Sequence, residues 1–253
     1  MRSIGFSTGA LALGDFSRGL DLIRKAGLRR VELSALRYEE LPGLMQFLRS
    51  TGMDDFDYVS IHAPSAYTAG LEPAIIEALI PAIKKKLHVV AHPDAIYDFR
   101  QWRQFGSLLC VENMDKRKPI GRTARELSEI FKELPEASFC LDVAHSRQVD
   151  PTMGVAADML WSFTNRLAQV HVSDVNSRSR HERLNLAASL AFKKIAASIP
   201  ASVPLILESP LYAESESRMH AEIEAEVERA QCVFEDLGQW KGNARHLEES
   251  RSR

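Results

Sequence analysis

The chain has 253 residues, of which 45% are hydrophobic and 26% charged. That supplies enough apolar material for one sizeable buried core. A formal charge of −2 excludes a global pull toward nucleic acid or an anionic membrane surface, and no apolar run approaches the roughly 20 residues that a membrane-crossing helix needs.

Short β-branched or apolar runs alternate with longer segments of helical period. Residues 3–7 read as a first strand, followed by a helix with Phe16, Leu20 and Ile23 on one face. Residues 30–33 form a second strand, followed by a helix presenting Leu41, Leu44, Phe47 and Leu48. A third strand, 58–62, precedes a helix bracketed by Pro73 and Pro81. Strands at 87–92 and 108–112 follow. Thr123 and Glu126 then form a capping box ahead of Leu127, Ile130, Phe131 and Leu134, each side chain satisfying a backbone N–H left free at the helix start. After a sixth strand at 139–142, Asp150 and Pro151 mark a helix start, because proline at the first helical position gives up no needed hydrogen bond. Strands at 168–172 and 205–208 complete the set, and a last helix presents Ile223, Val227, Ala230, Phe234 and Leu237.

Eight βα units in a row predict a single closed parallel barrel, the (β/α)8 or TIM barrel of the α/β class, over residues 1–240. Residues 241–253 have almost no apolar side chains and read as a flexible tail. Three cysteines, Cys110, Cys140 and Cys232, match no zinc-ribbon or paired spacing and read as reduced and buried. With no cleavable signal visible near Arg2 and Asp15, they point to the cytoplasm.

In such a barrel the active site forms at the C-terminal ends of the strands. Those ends carry Glu32, His62, His92, Glu112, Asp142, His171 and Glu208; only the first strand, ending at Ser7 and Thr8, lacks an acid or imidazole. Carboxylates and imidazoles converging on one mouth need partners, and buried charges are paired or bind metals. The mixture of nitrogen and oxygen donors suits zinc, manganese or iron(II), and the absence of thiolate argues against a soft metal. His145, three residues after Asp142, and His181, in the loop after the seventh strand, extend the constellation. The alternative for these groups is an internal hydrogen-bonded network. Glu32 is expected to pair with a neighbouring strand or helix start, His88 to pack within its strand, and His220 and His246 to lie on the surface.

The segments Val-Glu-Leu at 31–33, Ile-His-Ala-Pro at 61–64, Val-Glu-Asn at 111–113, Leu-Asp-Val-Ala-His at 141–145, His-Val-Ser-Asp at 171–174 and Leu-Glu-Ser-Pro at 207–210 together resemble the xylose-isomerase-like TIM-barrel superfamily. That group includes sugar isomerases and epimerases and the endonuclease IV type of abasic-site nuclease. In the isomerase branch, the resemblance implies one divalent metal held by Glu112, Asp142, His171 and Glu208, with Glu112 and Glu208 also moving the substrate proton. In the nuclease branch, His62 and His92 would bind a second metal with Glu112 bridging, and His145 and His181 a third. The nuclease pattern has an aspartate where this chain has Ser179, and the stretch 113–118 lacks the glycine-rich run of that branch.

The expected function is therefore a divalent-metal-dependent isomerase or epimerase of a sugar or sugar phosphate, acting through a metal-stabilised enediolate. Its cofactor is one to three ions of zinc or manganese, with iron also suitable. Its partner is a small carbohydrate, contacted by His145, with Lys116 and Arg180 on loops facing the site and suited to a phosphate. Two alternatives stand beside it: a metal-dependent phosphodiester hydrolase of the abasic-site kind, which alone would bring a nucleic acid partner, and a metal-binding barrel without turnover.

Overall fold

The computed structural model describes residues 2–235. The expected tail at 241–253, with His246 and Leu237, lies outside them. Eight parallel strands close a barrel: β1 (Ile4–Ser7), β2 (Arg30–Ser34), β3 (Tyr58–His62), β4 (His88–Ala91), β5 (Leu109–Glu112), β6 (Ser138–Asp142), β7 (Leu167–Val172) and β8 (Leu205–Leu207). Sequence neighbours pair throughout, and β1 joins β8 by Ile4 opposite Leu205, Gly5 opposite Ile206 and Phe6 opposite Leu207. Gly5 is required at this seam: a Cβ there would lie 2.2 Å from the carbonyl oxygen of Arg30.

Helices α1 (Phe16–Lys25), α2 (Leu41–Ser50), α3 (Glu72–Lys84), α4 (Ala124–Glu133), α5 (Val143–Val149), α6 (Gly154–Phe163), α7 (Leu186–Ala196) and α8 (Glu216–Phe234) make most of the outer ring. The crossover from β4 to β5 carries only a one-turn helix, Phe99–Trp102, and two 3-10 stretches, Pro93–Ala95 and Arg103–Leu108. Asp15, Thr123, Asn185 and Ser215 cap their helices by accepting a backbone N–H three residues on.

Strand residues alternate between two different environments. Outward-facing Phe6, Val31, Leu33, Ile61, Val89, Val111, Phe139, Leu141, Val170, Val172 and Leu207 join the helix faces in one continuous apolar core. Inside the barrel the apolar content shrinks to a small cluster of Val90, Cys110 and Cys140, with Ala168 against it, and to Ile206, level with His171. The rest of the lumen is polar: Glu32, Ser60, Gln169 and His171 are all fully buried. Barrel interiors are usually filled by layers of bulky branched side chains. This one is filled at mid-height by hydrogen-bonded polar groups.

Four local expectations change. The helix after the sixth strand begins at Val143, because Asp142 itself caps it, its Oδ1 accepting the His145 N–H at 2.6 Å. Asp150 then ends that helix, and Pro151 lies in a turn before α6; the Asp150 carboxylate accepts from Thr152 N–H and reaches forward to Val155 N–H. α3 runs through Pro81 to Lys84, since Ile75, Ile76, Leu79 and Ala82 keep its apolar face docked. The Thr123 capping box is half made: Thr123 accepts from Glu126 N–H, while Glu126 accepts from Arg122 rather than from Thr123. Cys110 and Cys140 are buried as expected, but Cys232 is exposed, on the outer side of α8. No helix among the described residues is long and apolar enough to cross a membrane.

Glu72 opens α3 as a buried carboxylate that accepts from Tyr97 N–H at 2.7 Å, Asp98 N–H at 2.9 Å and the Trp102 indole N–H at 2.9 Å. It pins the crossover that lacks a long helix. Glu72→Leu strands all three donors and is expected to cost about 3–5 kcal/mol, read as a lowered urea midpoint at unchanged slope. A loss under about 1 kcal/mol would show that water replaces the carboxylate there.

Candidate metal centre

The strand ends aim seven titratable side chains into one mouth. His62, Glu112 and Asp142 are the last residues of β3, β5 and β6; His92 and Glu208 follow β4 and β8 by one residue; His171 is the penultimate residue of β7. Glu32, at the centre of β2, sits one layer deeper. The helix that Asp142 caps carries His145 in its first turn, and His181 is held over the mouth by a two-stranded hairpin in which it pairs with Val175. The structure thus brings together Glu112, Asp142, His171, Glu208, His62, His92, His145 and His181. Lys116 and Arg180 are exposed on the loops after β5 and β7, and among the described residues neither side chain has an ion-pair or hydrogen-bond partner. Three neighbouring cations are already engaged: Lys118 with Asp94, Arg117 with the Arg178 carbonyl, and Arg183 with Glu222.

Glu112 is the hub. Its Oε2 lies 3.4 Å from His62 Nε2, 3.3 Å from His92 Nε2 and 3.5 Å from His171 Nδ1, and its Oε1 lies 3.2 Å from His145 Nδ1. His171 Nδ1 is also 3.4 Å from Glu208 Oε2, and His181 Nε2 is 3.7 Å from the same oxygen. Asn113 ties two strands together here: its side chain donates to the Asp142 carbonyl and accepts the Asp142 N–H. Its own carbonyl faces His145 Nδ1 at 3.0 Å.

The donors fit a divalent cation. Four sets each place one ligand atom per residue within 4.8 Å of the others: Glu112, Asp142, His171 and Glu208; His62, His92 and Glu112; Asp142, His145 and His181; and Glu32, His62 and Glu208. Glu112 Oε2, Asp142 Oδ2, His171 Nδ1 and His92 Nδ1 are buried without a hydrogen-bond partner. Buried polar atoms are almost always satisfied, so the first three, which face one mouth, call for a partner that accepts lone pairs. Ligands at zinc distances of 2.0–2.2 Å stand about 3.4 Å apart in a tetrahedron, which is the spacing around Glu112 Oε2. Where the nuclease pattern has an aspartate, Ser179 turns away and donates to Asp115 Oδ1 and Gln148 Oε1.

The electrostatics follow from burial and crowding. Burial pushes the Glu112 carboxyl up, but His171, His92 and His145 outweigh it and hold the group well below the usual carboxylate range. Burial raises Glu208 to about 8, reinforced by the negative Glu112, Glu32 and Asp142 against the pull of His171. Asp142 is likewise raised by burial. Burial opposes charge on His62 and His145 too, yet Glu112 with Glu32 lifts the first to about 9, and Asp142 with Glu112 lifts the second to about 10. His181 is pushed down to about 3 by burial and by the neighbouring His145.

Solved structures share this architecture. A D-tagatose 3-epimerase-like protein superposes with a TM-score of 0.59 over 90% of this chain and 97% of its own, at 17% identity. An L-ribulose 3-epimerase gives 0.58 over 91% and 96%, at 16% identity. A xylose isomerase domain protein from Planctomyces limnophilus gives 0.60 over 91% and 97%, at 11% identity. The chain shares the (β/α)8 barrel fold of these proteins. No protein-family model matches the sequence, and no curated protein matches it.

Sequence reasoning missed Asn113, Gln169 and Tyr58, while the expected pairing of Glu32 with a neighbouring strand is met by Ser60 of β3. Gln169 stands two residues before His171 on the same face of β7, so a period of two already marks it as luminal. Tyr58 opens its strand, where a reading confined to strand ends does not look.

Metal ligation needs neutral imidazoles. With His62 at about 9 and His145 at about 10, both carry protons at pH 7.5. Zinc binding is therefore expected to release protons there and to tighten as pH rises toward 9–10. Calorimetric titration in buffers of different ionisation enthalpy reads this directly. A binding heat independent of buffer would refute the protonation pattern.

Proposed function

We propose that the chain is a divalent-metal-dependent isomerase or epimerase acting on a sugar or sugar phosphate. The observation that carries this reading is the pair of glutamates facing one another across His171 Nδ1, Glu112 at 3.5 Å and Glu208 at 3.4 Å, with Asp142 completing the donor set. Glu112, Asp142, His171 and Glu208 would hold the ion. When bound, it supplies Lewis-acid polarisation of a substrate carbonyl.

The proton work belongs to the chain. β5 and β8 are separated by β6 and β7 around the barrel, so Glu112 and Glu208 approach a substrate in the mouth from different sides. One carboxylate takes the proton α to the carbonyl and the other returns it. Their environments differ: Glu112 is enclosed by imidazoles that keep it ionised, while Glu208 is raised toward neutrality. A pair of carboxyls driven apart in this way is suited to separate acid and base roles. His145 and His181 are candidates to hydrogen-bond substrate hydroxyls. The unengaged Lys116 and Arg180 are candidates for a substrate phosphate.

Metal-dependent phosphodiester hydrolysis is the second reading. The two flanking donor sets favour it: His62 and His92 share Glu112 with the central set, and His145 and His181 share Asp142. Carboxylates shared between sets are what closely spaced metal ions require. Ser179 in place of an aspartate, and a net charge of −2, weigh against it.

Glu112→Gln and Glu208→Gln are each expected to lower kcat by about 10²–10⁴-fold on the isomerised sugar, with the circular dichroism spectrum unchanged. Wild-type turnover in either variant would refute the proton-transfer role. Elemental analysis of protein purified without chelator separates the two readings: one ion per chain supports the isomerase, and two or three support the hydrolase.

A further inference from the structure

Below the mouth lies a polar cluster that none of the chemistry above uses. Glu32 is fully buried in the lumen. Its Oε2 is 3.0 Å from His171 Nε2, 2.7 Å from Gln169 Nε2 and 3.2 Å from Ser60 Oγ. Gln169 in turn accepts the Tyr58 hydroxyl on Oε1 at 2.6 Å. A carboxylate oxygen only accepts, so the NH2 side of the amide faces Glu32 and its oxygen is left for the Tyr58 hydroxyl.

We propose that Glu32 is a positioning residue that fixes the tautomer of His171 and so selects Nδ1 as the nitrogen presented to a cation. This rests on the metal-centre reading above and extends it to a residue outside the ligand set. An ionised carboxylate oxygen accepts and does not donate, so the ring nitrogen facing it carries a proton. In the neutral ring that a cation binds, the lone pair is then left on Nδ1, which is buried, without a hydrogen-bond partner, and aimed between Glu112 and Glu208. Gln169 Nε2 also lies 2.7 Å from His171 Nε2, so the amide and Glu32 compete for this ring nitrogen. His62 stacks on the His171 ring at 6.0 Å with planes 19° apart, which restrains its rotation. A histidine ligand whose far nitrogen donates to a carboxylate is held in orientation and made more basic, an effect worth about 10–100-fold in metal affinity. The competing arrangement has Gln169 donating to a bare Nε2; His171 would then carry its proton on Nδ1 and could not ligate through that atom.

Two measurements test this. In zinc-loaded wild-type protein with ¹⁵N-histidine, the His171 ring is expected to show a protonated Nε2 and a zinc-bound Nδ1; a zinc-bound Nε2 would overturn the proposal, and this readout needs no variant. In chelator competition, Glu32→Gln is expected to weaken zinc affinity about 10–100-fold. In a His171→Ala background the same substitution is expected to add less than about 2-fold, because its effect passes through that ring. Undiminished affinity in Glu32→Gln, or an equal loss in the His171→Ala background, would overturn the positioning role and leave the metal centre standing. Wild-type protein that binds no divalent ion would instead bring down the metal centre and the proposal with it.

Discussion

One buried carboxylate organises the mouth of this barrel. Glu112 is 1% exposed and cannot stay ionised there without positive charge close by, since an isolated buried anion is prohibitively costly. His62, His92, His145 and His171 gather around it within 3.5 Å. Each comes from a different element, so the charge balance at this single residue also sets how β3, β5, β7 and the turns after β4 and β6 meet. The imidazoles are held by contacts that leave a nitrogen turned toward the mouth. His62 Nδ1 is within hydrogen-bond distance of the Ala63 carbonyl, His181 Nδ1 of Ser173 Oγ, and His171 Nε2 of Glu32.

The barrel rests on a division of labour between its two surfaces. Outward-facing strand residues and helix stripes form one continuous apolar layer, and this layer supplies the burial that drives folding. The lumen contributes little apolar packing. Its polar groups instead satisfy one another in a chain from Tyr58 through Gln169 to Glu32 and His171. Hydrogen-bonded buried networks of this sort rigidify what they connect. A ligand on the rim is therefore backed by a fixed column reaching toward the opposite end of the barrel.

Much of this was readable in the sequence. The eight strands are found where apolar runs placed them, because a strand buried on its outer face by helices must be apolar at alternate positions whatever its lumen holds. The strand ends gave the constellation for the same reason: alternation fixes which side chain points inward, and the parallel topology fixes which end is functional. Local punctuation was less legible. Asp150 and Pro151 look like a helix start, but Asp142 had already begun one, and a residue that reads as a candidate ligand does not announce itself as a cap. The luminal positions of Gln169 and Tyr58 carry no special residue type. Only the register, which puts Glu32 opposite Ser60, shows that they converge. For the loop cations, ion pairing of Lys118 with Asp94 and of Arg183 with Glu222 is a tertiary fact that spacing does not encode.

The separation of wall from lumen has a bearing on divergence. Because the outer layer requires only that side chains be apolar and of compatible size, it tolerates wholesale exchange among aliphatic and aromatic residues. The inner column requires particular atoms but involves few positions. A chain built this way can drift until about one residue in six is shared, as with the 17% identical epimerase-like structure, and still retain the same shape. New chemistry can then arise by rewriting a handful of inward positions without renegotiating how the protein folds.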